Sequence, residues 1–145
     1  MLKWEPAVHA LGVAEMDGTH EEFIRELDAL QRADDAGFPQ LFHELNRHLR
    51  AHFDNESRLM RACGFPPIAI HEAEHERVLG EVALIGRSIA RGQLGLARAY
   101  VAVGMVDWFH NHLATMDSAL AACLKAQPDC APASHTPLES PAPAP

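Results

Sequence analysis

Two pairs of side chains in this sequence have the types and spacing of metal ligands. His52 and Glu56 are four residues apart, and so are His71 and His75. On a helix, residues i and i+4 stand one above the other, with Cβ atoms about 5–6 Å apart. Each pair can therefore aim at one metal ion or at two adjacent ones. His20 upstream, and His112 with Asp117 downstream, extend the set to five imidazoles and two carboxylates. That donor set suits a borderline divalent ion such as iron better than calcium or magnesium, which prefer oxygen. A structural zinc site needs four ligands, so seven candidates imply two metals, with carboxylates able to bridge them. The spacing of His112 and Asp117 fits less well. Five residues of α-helix turn through about 500°, which leaves the two side chains about 140° apart. Periodicity alone does not pair them.

Four amphipathic segments must position these residues. Apolar residues at helical spacing predict helices over about 16–35, 39–63, 68–91 and 94–126. Asp17 is the predicted N-cap of the first, with Glu21 and Glu22 in its early turns. Gly37 ends the first helix, Pro39 suits the first turn of the second, and Gly64 with Pro66-Pro67 ends the second. The inner stripe of the fourth is read as Tyr100, Val103, Val106, Phe109, Leu113, Met116 and Leu120. Short connections make consecutive helices antiparallel neighbours. The expected fold is all-α, an up-down-up-down four-helix bundle with an N-terminal arm anchored by Trp4. The expected organisation is one domain over 1–126 and a disordered Pro/Ala-rich tail over 127–145.

Bulk composition narrows the function classes. The chain has 145 residues, enough for one domain, and its 48% hydrophobic content can fill a core. A net charge of −8 argues against nucleic acid and against an anionic membrane surface. No signal peptide and no transmembrane run is read, so the expectation is a cytoplasmic monomer. Three cysteines, Cys63, Cys123 and Cys130, show no C-x-x-C spacing. They do not suggest a disulfide framework, and Cys63 and Cys123 read as small packing residues. Ten histidines are a surplus that itself points to metal. Five of them, His9, His43, His48, His110 and His135, match no ligand position and read as exposed or supporting residues. His48 stands one turn before His52, at the rim of the site.

Four stretches carry a resemblance to a family: MDGTH at 16–20, HFDNESRLM at 52–60, GFPPIAIHEAEH at 64–75 and WFHNHLATMD at 108–117. Together they resemble the hemerythrins in their single-domain bacterial form, over about residues 4–120. The resemblance implies a di-iron centre in which His71, His75 and His112 hold one iron and His20 and His52 the other. Glu56, Asp117 and a solvent-derived hydroxide would bridge them. Dioxygen would bind reversibly at the open position of the two-histidine iron, for storage or for delivery to an oxygen-consuming enzyme. Trp108, Phe109 and Leu113 would flank that position. Phe109 stands where the family usually has Leu, Leu113 where it usually has Ile, and Gly18-Thr19 replaces the commoner residues before the first histidine.

The expected role is a carrier and not an enzyme. The alternatives are an oxygen or redox sensor, and a di-iron peroxidase or nitric-oxide scavenger. Oxidising di-iron bundles use a carboxylate-rich set with repeated E-x-x-H, whereas this chain offers two carboxylates against five histidines. Neutral imidazoles stabilise high-valent iron less well, which favours binding over activation.

Overall fold

The computed structural model describes residues 2–127. Among them there is no strand. A short helix α1 (Pro6–His9) precedes three long ones: α2 (Ala14–Arg32), α3 (Phe38–Cys63) and α4 (Ile68–Ala90). A fourth long helix, α5, is continuous over 95–126. It holds α-helical segments Gly95–Ala99, Met105–His112 and Ser118–Ala126, separated by π-helical turns at Tyr100–Gly104 and Leu113–Asp117. The long helices form the up-down-up-down bundle, with α3 packed on both α2 and α4. No described helix is long and apolar enough to cross a membrane. The expected tail lies outside the described residues from 128 onward, as do Cys130 and His135.

The helix ends show the physical chemistry of stopping and starting. Gly64 takes a left-handed conformation (φ 63°). Phe65 N–H then donates to Met60 O and Gly64 N–H to Arg61 O. This pairing satisfies carbonyls that the last turn would leave bare, and Phe65 folds back onto Met60 in the core. Asp17 is not the N-cap of α2. That position is Val13, and Asp17 lies inside the first turn. Its carboxylate accepts from Leu11 N–H at 2.7 Å and Gly12 N–H at 3.1 Å, clamping the approach to the helix from within it. The first helix stops three residues earlier than expected, at Arg32. Asp34 there accepts from Gly37 N–H at 2.7 Å, a local turn that competes with continuing the helix.

Two apolar clusters fill the bundle. The larger contains Phe23, Leu27, Phe42, Leu49, Phe53, Val78, Val82, Met105, Phe109 and Leu113. The smaller contains Met16, Leu59, Met60, Cys63, Phe65, Leu120 and Leu124. Each long helix passes from one cluster to the other, and it carries its polar site residues at the crossing. His20 lies between Met16 and Phe23, Glu56 between Phe53 and Leu59, and Asp117 between Leu113 and Leu120. A polar layer is thus sandwiched between two dry ones. The expected inner stripe is corrected at Val103, which is 61% exposed: the buried positions are Ala97, Val101 and Met105, and Val103 lies about half a turn from Val101.

Candidate metal centre

All seven predicted residues converge in that polar layer. His20, Glu56, His71, His75, His112 and Asp117 are buried, and His52 is half-buried. Glu56 points its two oxygens in different directions. Oε1 lies 2.6 Å from His52 Nε2 and 3.5 Å from His20 Nε2. Oε2 lies 3.1 Å from His71 Nε2 and 3.2 Å from His75 Nε2. Asp117 does the same. Oδ2 is 3.1 Å from His20 Nε2, while Oδ1 is 3.1 Å from His112 Nε2 and 3.2 Å from His71 Nε2. The donors divide into two groups that share both carboxylates. One group adds His71, His75 and His112, and the other adds His20 and His52.

The π-turn answers the awkward spacing on α5. Ser118 N–H reaches back to Leu113 O, five residues away, so one turn takes in an extra residue. Residues i and i+5 then share a face, and His112 and Asp117 meet at 3.1 Å. Single π-turns of this kind are rare and concentrate at functional sites.

Burial works against charge here, and pairing decides the outcome. For His20, burial favours the neutral ring, but Asp117 and then Glu56 outweigh it and hold the pKa at about 9. His71 is likewise held at about 9 against its burial, by the same two carboxylates. His75 goes the other way. Burial dominates, reinforced by its histidine neighbours, and its pKa falls. Both carboxylates resist the upward push of burial and stay ionised. Glu56 is drawn down chiefly by His52 and His20, and Asp117 by His112, His20 and His71.

The donor set fits a metal on two counts. His75 Nε2 and His112 Nε2 face each other at 3.2 Å, so with both rings protonated on Nδ1 instead, the two lone pairs point at one position a cation can take. Moreover, Nε2 of His20, Oε1 of Glu56 and Oδ1 of Asp117 are buried without a properly aligned hydrogen-bond partner. Leaving such atoms unpaired is costly, and a cation coordinated by them removes that cost.

The rings are oriented by stacking more than by hydrogen bonds. The Nδ1 atoms of His20, His52, His71 and His75 have no hydrogen-bond partner among the described residues. Phe53 instead lies flat on His75, with centroids 3.8 Å apart and planes within 5°. Trp108 stacks on His112 at 4.8 Å, and its indole N–H donates to Glu74 at 3.0 Å. Phe109 meets His20 edge-on at 5.7 Å. Sequence reading singled out Trp108 and Phe109 but not Phe53 or Glu74. In the sequence Phe53 stands out only as the neighbour of His52 within the HFDNESRLM stretch.

A cavity of about 10 Å³, at the lower limit for one water-sized molecule, borders His20, His52, His112 and Asp117. Trp108 and Phe109 line it, with Phe23, Leu49 and Phe53. Leu113 does not. It is buried in the larger apolar cluster, one regular α-helical turn after Phe109. An outer groove of about 180 Å³ between α2 and α3 reaches His52 from the surface. His48 lines it and contacts Glu26. His9 departs from expectation. It is buried, stacks between Trp4 and His110, and approaches Phe109, so the arm seals the end of the aromatic wall.

Comparison with known proteins agrees with this geometry. The family model described as the hemerythrin HHE cation binding domain matches residues 11–124. A bacteriohemerythrin of Ralstonia nicotianae is 33% identical over 117 residues, covering 81% of this chain and 84% of its own. A bacteriohemerythrin of Methylococcus capsulatus is 23% identical over 133 residues, covering 87% and 98%. A crystal structure of wild-type hemerythrin superposes with a TM-score of 0.78 at 21% identity, over 86% of this chain and 98% of the other.

Proposed function

Because the chain belongs to the hemerythrin family, we propose that its buried cluster holds two irons and binds dioxygen reversibly, as a carrier or store. His71, His75 and His112 would hold one iron and His20 and His52 the other, with Glu56 and Asp117 as bridges. The observation that carries this reading is the split of both carboxylates: each presents one oxygen to each histidine group. When bound, a pair of irons supplies a two-electron exchange with dioxygen that can run in both directions.

The protein's own residues set the conditions for reversibility. The unequal histidine count leaves the His20/His52 side with fewer donors, and both of its histidines line the small cavity, joined by His112 from the other group. Phe23, Leu49, Phe53 and Phe109 make its wall apolar, so water gains little by entering. Phe109 contributes a full ring there, packed on Phe23 at 4.9 Å, and limits what fits to something small. Phe53 and Trp108 hold the imidazoles of His75 and His112 in place while charge at the centre changes. His52, the least buried of the set, faces the outer groove and marks the approach from solvent.

An oxygen titration of the iron-loaded, reduced protein tests this. The expected result is a visible absorption band that forms in air, bleaches under vacuum and survives repeated cycles. Immediate one-way oxidation with release of hydrogen peroxide would overturn the carrier reading in favour of a sensor or an enzyme.

A further inference from the structure

Below the polar layer the smaller core is rich in sulfur: Met16, Met60 and Cys63 are buried there, with Cys123 packed against them. Cys63 follows Glu56 by seven residues, two turns and about 10 Å along α3. Its Sγ lies 3.5 Å from Sγ of Cys123, which arrives from α5, 60 positions further along the chain. A disulfide bond is about 2.05 Å long, so the remaining gap is within the reach of side-chain rotation. The two thiols are not equivalent. Cys63 is sealed in the core at the end of α3, whereas Cys123 is partly exposed and has the side-chain amide of Gln127 within 3.8 Å of its sulfur. That is the division of labour between a peroxide-attacking thiol and a resolving one.

We propose that Cys63 and Cys123 form a redox-active dithiol, oxidised by hydroperoxide to a disulfide that staples the end of α3 to α5. The thiolate of Cys123 attacks one oxygen of hydrogen peroxide. The O–O bond breaks, the leaving hydroxide takes up the proton that Cys123 gave up and departs as water, and sulfur is oxidised to a sulfenic acid. The thiol of Cys63 then attacks that sulfur, the S–S bond forms, and the sulfenic oxygen departs as a second water. In sum, two thiols and one peroxide give one disulfide and two waters, and the two electrons come from sulfur. Hydrogen peroxide is also the two-electron reduction product of dioxygen, so an oxygen-binding chain would meet it. That connection rests on the function proposed above, whereas the dithiol chemistry does not.

The test uses the full-length protein with Cys130→Ser, so that only this pair is read. One equivalent of hydrogen peroxide, and in parallel the dithiol oxidant diamide, is followed by thiol counting, intact mass and peptide mapping. Both oxidants are expected to consume both thiols, lower the mass by about 2 Da, link the peptides carrying Cys63 and Cys123, and raise Tm by roughly 10 °C. Cys123→Ser is expected to abolish all of these while the Cys63 thiol survives. Two free thiols after diamide, a sulfinic acid at Cys123, or a disulfide between two chains would overturn the proposal. Linkage by diamide but not by peroxide would overturn the assignment of hydroperoxide as oxidant. Failure of the carrier reading appears separately, in the oxygen titration, and leaves these readouts unaffected.

Discussion

Replacing Phe53 by alanine separates packing from ligand positioning. Phe53 is 3% exposed, lies flat on His75 at 3.8 Å and meets Trp108 edge-on at 6.0 Å. Removing a buried phenylalanine costs about 3–5 kcal/mol through lost burial and the cavity left behind. For a chain of this size that lowers Tm by roughly 10 °C. A second loss concerns the imidazole. The Nδ1 of His75 has no hydrogen bond to hold its ring, so the stack is what fixes the orientation. Loss of such support typically weakens metal binding by about 10–100-fold. Phe42→Ala is the control. It lies on the same helix, is 4% exposed, and stacks on Phe38 away from the site. Both variants are expected to lose comparable stability in urea titrations of the metal-free protein. Only Phe53→Ala is expected to lose iron affinity in competition with a chelator. Equal iron affinity in the two variants would refute the argument that stacking positions His75.

Inserting one alanine after Ala114 swings Asp117 by about 100° and removes it from His20, His71 and His112; iron content by metal analysis is expected to fall well below that of the unaltered chain. The metal-free protein is expected to lose stability between pH 6.5 and 9, read as the urea midpoint. His20 and His71 have folded pKa values of about 9, above the usual 6.5, so the stability they contribute is full below 6.5 and lost as pH rises through 9. His75, whose pKa is lowered, acts in a separate window: it takes stability away as pH falls below 6.5 and leaves the loss between 6.5 and 9 unchanged. Phe109→Leu removes ring contacts with His20 and Phe23. It is expected to cost about 1 kcal/mol, lowering Tm by about 2–4 °C, and to speed the binding of small anions to the oxidised protein, followed by stopped-flow absorbance.

What sequence alone determined here is what repeats along a regular helix. His52 with Glu56, and His71 with His75, could be paired because four residues nearly complete an α-helical turn. The four long helices were legible because each must keep one face dry. Everything that depends on a second element, or on a departure from the regular turn, waited for the tertiary structure. Asp117 reaches the site only through the π-turn at Leu113–Asp117. Packing also decided which stripe of the fourth helix faces inward: Val101 and Met105 are buried, and Val103 is exposed. Phe53 on His75, Trp108 on Glu74, the burial of His9, and the meeting of Cys63 with Cys123 all join residues far apart in the chain. Local spacing sets which side chains share a face of one helix. Which faces meet, and where a helix gains an extra residue to let a carboxylate reach, is settled by packing four helices around one polar layer.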